Sequence, residues 1–76
     1  MRDLIDYIAK ALVDAPDAVD VTEFGDNEAS IIKLKVSKED LGKVIGKKGR
    51  TAKAMRTILA AAAMKTQKRS TLEIIE

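Results

Sequence analysis

The amino-acid sequence predicts an α+β domain in the order α-β-β-α-α-β, with one three-stranded mixed sheet packed against three helices. Two patterns carry this prediction. Apolar residues recur at helical spacing in two long segments, and they alternate with polar residues in shorter ones. The second and third strands are joined through two helices, which is long enough for a parallel crossover. We expect residues 1–76 to form a single domain, because a chain of this length supports one small core.

The first predicted helix covers residues 2–13. Its apolar residues share one helical face, which comprises Leu4, Ile5, Ile8, Ala9, Leu12 and Val13. Pro16 ends this helix, because proline cannot continue it and disfavours the helical conformation at Ala15.

Two predicted strands follow, at residues 18–24 and 30–36. In the first, Val19 and Val21 alternate with polar residues. In the second, Ile32, Leu34 and Val36 lie on one face, and Lys33 and Lys35 on the other. Residues 25–28 are of the types that form turns, so the two strands are predicted to form an antiparallel hairpin.

The second half of the chain begins with Ser37 and Asp40, which resemble a helix capping box. A short helix over residues 38–45 would direct Leu41, Val44 and Ile45 to the core. A longer helix over residues 50–66 has a predicted core face of Ala52, Met55, Ile58, Leu59, Ala62 and Ala63. Residues 70–76 form the last predicted strand, with Leu72 and Ile74 on one face.

Charge is divided unevenly along the chain. Residues 1–42 carry five basic and ten acidic side chains, whereas residues 43–76 carry nine basic and two acidic ones. This asymmetry favours one surface that faces a polyanion. The chain contains neither cysteine nor histidine, which excludes disulfides, the usual zinc sites and histidine-based triads.

The sequence VIGKKGRT, at residues 44–51, places two lysines between two glycines. Gly46 can adopt the left-handed conformation that ends a helix, and Gly49 can leave the N–H groups of the next helix open. Those groups, the helix dipole and the side chains of Lys47, Lys48 and Arg50 would all attract an anion. The spacing does not match a Walker A loop or a dinucleotide fingerprint. We therefore expect a phosphodiester backbone to lie against this corner.

The segment Leu41-Gly-Lys-Val-Ile-Gly-Lys-Lys-Gly-Arg50 resembles the I-G-x-x-G signature of KH domains, and the order α-β-β-α-α-β resembles their type II arrangement. The resemblance covers essentially the whole chain. It is strongest to the small stand-alone bacterial KH-domain RNA-binding proteins. It implies binding of single-stranded RNA, in post-transcriptional regulation or as an RNA chaperone. The lack of cysteine suits a reducing cytoplasm, and no spacing joins the acidic residues to a nucleophile or a metal site. We therefore expect a cytoplasmic protein without enzymatic activity, cofactor or small-molecule substrate.

The resemblance also implies a groove for about four unstacked nucleotides, with the Gly-x-x-Gly loop against their backbone. The matching loop positions are Gly46, Lys47, Lys48 and Gly49. Val44 and Ile45 match an apolar wall, and one face of residues 31–36 would form the opposite wall, although the sequence does not decide which. Further candidate phosphate contacts are Lys43, Arg50 and Lys53.

The two aromatic residues, Tyr7 and Phe24, fall outside the predicted groove, so ring stacking on bases is not expected. We therefore expect weak affinity, little sequence discrimination and marked salt dependence. The acids scattered through the N-terminal segment argue against a signal peptide, and no apolar run reaches the length of a membrane span.

A candidate dimer interface lies on the outer face of the longer helix, where residues are unusually apolar and mostly small: Ala54, Ala60, Ala61 and Met64, with Ile58 at the boundary. Alanine can also serve helix propensity alone. The family resemblance implies self-association, and pairing with a larger multi-domain protein that carries its own KH domain.

The sequence alone leaves two alternative functions open. In a helix-turn-helix DNA-binding module, residues 50–56 would enter the major groove, but they offer few side chains suited to base edges. In a pure adaptor the corner would be only a turn, which leaves the run of six cations over residues 43–56 without a role.

Overall fold

The computed structural model describes residues 2–26, 28–65 and 67–75. It contains three helices and three strands in the predicted order: α1 (Arg2–Leu12), β1 (Asp20–Gly25), β2 (Ala29–Lys35), α2 (Leu41–Ile45), α3 (Arg50–Lys65) and β3 (Arg69–Ile75). The α+β fold predicted from the sequence is thereby confirmed. Parts of three predicted segments lie outside the described residues: Asn27 in the hairpin turn, Thr66 in the longer helix and Glu76 in the last strand.

Three short 3-10 turns refine the predicted boundaries: Pro16–Ala18, Lys38–Asp40 and Lys47–Gly49. The first takes Ala18 out of the predicted strand, which begins only at Asp20. The second divides the helix predicted over residues 38–45, so that α2 itself is a little over one turn long. The third forms the connection between α2 and α3.

The sheet has the strand order β1-β2-β3, with β2 in the centre. β1 and β2 are antiparallel, with Asp20 opposite Lys35 and Phe24 opposite Ile31. β2 and β3 are parallel, with Ile32 opposite Leu72. Because parallel strands run the same way, α2 and α3 carry the chain from the end of β2 back to the start of β3, as predicted.

The helices cover one face of the sheet, and the core lies between the two layers. From the sheet it contains Val21, Ile32, Leu34 and Leu72, and from the helices Ile5, Ala9, Val44, Met55 and Leu59. All of these side chains are at most 3% exposed. Burying such apolar surface is the main source of stability in a domain of this size.

The predicted core face of α3 needs one correction. Ala52, Met55, Leu59 and Ala63 are buried, but Ile58 is 45% exposed. The buried stripe is narrower than the predicted arc, since Ile58 lies outside it and Ala62 is only half-buried. Ile58 therefore belongs to the solvent-facing side of the helix. Within the described residues, no helix is both long and apolar enough to span a membrane.

Candidate nucleic-acid interface

Gly46 ends α2 and occupies a backbone conformation that is almost restricted to glycine. Its N–H donates to the carbonyl of Gly42 at 2.8 Å. Its φ is 77° and its ψ is 171°, so the predicted positive φ is present, but in an extended region rather than the left-handed helical one. A Cβ on Gly46 would overlap the side chain of Thr51 and lie 2.8 Å from the Thr51 backbone nitrogen. The tight return of the chain onto α3 therefore requires glycine at this position.

Lys48, between the two glycines, has the left-handed conformation that the sequence did not indicate. Its φ is 57° and its ψ is 26°. For a residue with a Cβ this conformation costs about 1–2 kcal/mol. The left-handed turn directs the chain into Gly49, which has a φ of 74° and open space where a Cβ would lie. The 46–49 loop, defined as residues 46 to 49, is thus a strained corner with an unobstructed surface.

The backbone N–H groups of this corner are arranged differently from the prediction. Those of Gly49 and Arg50 are not open, because they donate to the carbonyls of Gly46 and Lys47 in the 3-10 turn. In the part of the chain that the structure describes, the N–H groups of Lys47 and Lys48 have no hydrogen-bond acceptor. These two N–H groups, rather than those of Gly49 and Arg50, are available to an anion.

Four cationic side chains project from the loop and the first turn of α3: Lys47, Lys48, Arg50 and Lys53. All four residues are exposed. None of them forms an ion pair with another described residue. α3 is 16 residues long and carries no acid, so the positive end of its dipole adds to the same field. The result is a concentrated positive potential that no acidic side chain of the described regions offsets at close range.

Lys43, a candidate phosphate contact from the sequence, does not belong to this group. Its ammonium forms an ion pair with Asp14 and lies 3.4 Å from Asp40 Oδ1. The hydrogen bond to Asp14, despite partial desolvation, raises the pKa of Lys43 above its usual value. Two carboxylates thus already neutralise this cation, and it serves to hold α2 in place.

Asp40 connects α2 to the segment that follows α1. The residue is only 2% exposed. Its carboxylate accepts hydrogen bonds from the backbone N–H of Ala15 at 3.0 Å and of Asp14 at 3.2 Å. It also accepts one from the Ser37 hydroxyl at 3.1 Å. The predicted capping box is therefore wrong, because Asp40 bonds a distant backbone segment rather than its own helix start.

The charge of Asp40 is favoured in the folded protein. Burial alone raises the pKa of this carboxyl, but the hydrogen bonds from the backbone and Ser37 outweigh burial and hold the pKa below its ordinary value of 3.8. A carboxylate with a lowered folded-state pKa stabilises the fold above the unfolded-state pKa. That contribution is lost as the pH falls from about 4 through the folded-state value.

We expect Asp40→Asn to lower the melting temperature at neutral pH by roughly 5–15 °C, because the amide group cannot accept all the bonds that the carboxylate accepts. The variant should also lose less stability than the wild type between about pH 4 and pH 2, since it lacks the titrating group. Thermal unfolding across this pH range measures both effects. Glu39→Gln, a change at the exposed neighbouring acid, is the control. Identical acid dependence in wild type and Asp40→Asn would contradict the assigned role.

The predicted apolar walls are only partly accessible. Val44 is fully buried and supports the loop from the core, so it cannot contact a ligand in this structure. Ile45 is 37% exposed beside Gly46 and is the accessible apolar side chain. On β2, the helix-facing Ile32 and Leu34 are buried, and the residues facing solvent are on the opposite face of the sheet: Ile31, Lys33 and Lys35. The central strand therefore presents no open wall on the side of the loop.

The outer face of α3 is exposed along its length. Ile58 and Met64 are 45% and 78% exposed, and Ala54, Ala60 and Ala61 are also exposed. A shallow depression of about 410 Å³ begins next to the loop and is lined by Arg50, Lys53, Ala54, Thr57 and Ile58. The candidate RNA contacts and the candidate dimer interface thus meet on one helix, with cations at its start and apolar residues beyond.

A model of the protein family described as KhpA/KhpB, KH domain, matches residues 2–74. The chain belongs to this KH-domain family. Its order of elements is accordingly that of a type II KH fold, and the resemblance to the small stand-alone bacterial KH-domain proteins is confirmed.

Curated relatives match over nearly the full length of both chains. The RNA-binding protein KhpA of Caldanaerobacter subterraneus subsp. tengcongensis is 57% identical over 75 residues, which cover 99% of this chain and all of the relative. KhpA of Clostridium acetobutylicum is 55% identical over the same coverage. KhpA of Halalkalibacterium halodurans is 51% identical over the whole of both chains. A search of solved structures found no match.

Proposed function

We propose that this KH domain binds single-stranded RNA through the 46–49 loop and the first turn of α3. The observation that carries the proposal is the group of four exposed cations without ion pairs around two backbone N–H groups that have no acceptor in the described residues. Relatives at 51–57% identity are named RNA-binding proteins, which supports RNA as the polyanion.

In the proposed complex, the phosphodiester backbone follows the loop, and the bases turn toward α2. Lys47 and Lys48 contact phosphate through both side chain and backbone N–H, while Arg50 and Lys53 contact the next phosphates along α3. Ile45 provides an apolar surface for a base. Four such contacts would give a slope of log K against log salt of about −3 for a single strand. About four nucleotides would be held, with little sequence discrimination.

Competition between ligands tests this proposal. A KH groove takes splayed single strands, whereas a recognition helix needs an intact major groove. With a labelled single-stranded RNA probe at fixed salt, we expect unlabelled single-stranded RNA to compete at least about tenfold better than duplex DNA of equal length. Better competition by the duplex would instead favour the helix-turn-helix alternative, for which membership of the KH family gives no support.

The outer face of α3 is the second element of the proposal. We propose that Ala54, Ile58, Ala61 and Met64 form a helix–helix contact, either with a second copy or with a larger KH-domain protein. The exposure of Ile58 and Met64 supports an interface, because without a partner these two large apolar side chains are in contact with water. Linked loops would raise the affinity for long RNA, consistent with a role in post-transcriptional regulation or as an RNA chaperone.

We expect Ala61→Arg to break a homodimer held together by α3 without unfolding the chain, because Ala61 is exposed and a helix–helix contact tolerates little added volume. The variant should lose more affinity for a long RNA than for a tetranucleotide, since only the long ligand engages two linked sites. Sedimentation at micromolar concentration and RNA titration measure these effects, with Glu39→Arg at an exposed site away from α3 as control. A wild type that is monomeric at this concentration would exclude the homodimer and leave the larger partner.

A further inference from the structure

We propose that β3 is a self-pairing edge, through which two copies of the chain join their sheets by an antiparallel β3–β3 contact. The strand order β1-β2-β3 leaves one side of β3 without a strand neighbour in the described part of the chain. A seven-residue edge strand without proline or glycine is a ready template for another strand. This contact is separate from the helix–helix contact of α3 and does not depend on RNA binding.

The backbone groups that point to the open side can be identified from the parallel ladder. The N–H of Arg69 donates to the carbonyl of Glu28 at 2.9 Å, so Arg69 bonds toward β2. In a parallel pair, alternate residues direct both backbone groups to the same neighbour. The intervening residues, Ser70, Leu72 and Ile74, therefore direct theirs to the open edge. Consistent with this, the Leu72 carbonyl is reached from outside by the Arg56 guanidinium, at a long 3.5 Å.

Charge decides the register of a two-fold β3 pair. In a two-fold pair the central residue lies opposite the same residue of the second copy. A register centred on Arg69 or on Glu73 therefore places two like charges opposite each other. Centred on Thr71, it sets Arg69 opposite Glu73 of the second copy, and the pair occurs twice. The same register places Ser70 opposite Leu72, and the backbone groups of both residues point to the open edge. One register therefore allows both the backbone hydrogen bonds and the ion pairs. Registers centred on Ser70 or Leu72 place neither Arg69 nor Glu73 opposite a residue of opposite charge.

The other edge of the sheet is less suited to pairing. β1 carries Asp20 and Glu23 and no cation, so a β1–β1 pair has no opposite charges to bring together. In other respects the two edges are alike. A helix packs against each strand, α1 on β1 and α3 on β3, and an arginine donates to one carbonyl of each, Arg2 to Val21 at 2.8 Å and Arg56 to Leu72 at 3.5 Å. The opposite charges within one strand therefore favour β3 over β1 for self-pairing.

A covalent trap tests the register directly, because the chain has no cysteine of its own. In the Thr71-centred pair, the two Thr71 Cα atoms form a non-hydrogen-bonded pair about 4.5 Å apart, within the span of a disulfide. With oxidised glutathione and no RNA, we expect Thr71→Cys to form a disulfide-linked dimer at least about tenfold faster than Thr22→Cys. Thr22→Cys is the matched control, since Thr22 is exposed on the same face of the sheet but on β1.

Charge variants then test the ion pairs in the Thr71→Cys background. Arg69→Glu should reduce linking to the rate of Thr22→Cys, and adding Glu73→Arg should restore it. Arg69→Gln, which removes attraction without adding repulsion, should give an intermediate rate if Arg69→Glu fails to fold by circular dichroism. We expect the linking rates to be the same in the Ala61→Arg background, because the β3 contact does not depend on the α3 contact. Equal linking of Thr71→Cys and Thr22→Cys, or linking unaffected by the charge at residue 69, would overturn the proposal.

Discussion

The double variant Lys47→Asp/Lys48→Asp should lose at least about 100-fold in affinity for single-stranded RNA, because it replaces two phosphate contacts with two repulsive charges. The fold should be retained, since both side chains are exposed and form no ion pair with a described residue. The slope of log K against log salt should also become shallower, as fewer phosphates are neutralised. Fluorescence titration of a labelled RNA at several salt concentrations, with circular dichroism as folding control, measures these quantities.

A matched control is available on the far face of the sheet. Lys33→Asp/Lys35→Asp makes the same change in net charge at two lysines of β2 that face away from the helices. We expect this variant to lose only a few-fold in affinity, through the general field of the protein. Equal losses in the two double variants would show that net charge, rather than the 46–49 loop, governs binding.

Gly46→Ala should cause the largest loss of stability among single changes in the loop, about 2–4 kcal/mol of the free energy of unfolding. Two costs combine at this position. The residue has a φ of 77° with extended ψ, and the added Cβ meets the side chain and backbone nitrogen of Thr51. A domain of this size is expected to be only modestly stable, so the variant should be partly unfolded at elevated temperature.

Gly49→Ala provides the comparison for this prediction. Gly49 also has a positive φ, but nothing lies within 4 Å of an added Cβ. Only the conformational cost applies, which is about 1–2 kcal/mol. Urea unfolding of the three proteins gives both differences. A loss in Gly46→Ala no greater than that in Gly49→Ala would mean that the close approach to Thr51 does not constrain the loop.

The layers of the fold were predictable because buried residues recur every two positions in a strand and about every 3.6 positions in a helix. Alternation at Ile32, Leu34 and Leu72 defined the covered face of the sheet, and the spacing of Met55 and Leu59 defined that of α3. Ile58 was misplaced because it lies at the boundary of the helical arc. A helical wheel gives the angular order of residues, but the width of the buried stripe depends on the partner surface.

The loop was predictable in its chemistry and less so in its geometry. Two glycines around two lysines indicated a flexible cationic corner, but the sequence gives no sign that Lys48 takes the left-handed conformation. Nor could it show that Asp40 bonds the backbone of Ala15, because the two residues are 25 positions apart in the chain. The i, i+3 spacing of Asp40 and Lys43 was a readable signal that this lysine is paired.

Amide chemical-shift mapping with a single-stranded RNA tetranucleotide tests RNA binding by the 46–49 loop most directly. Binding there should shift the amide resonances of Lys47, Lys48, Arg50 and Lys53 most strongly, with smaller shifts around Ile45. The amides of Phe24 and Ile31, on the exposed face of the sheet, should stay unchanged through saturation. Shifts confined to that sheet face, or no shifts in the loop at RNA concentrations that saturate binding, would contradict the proposed interface.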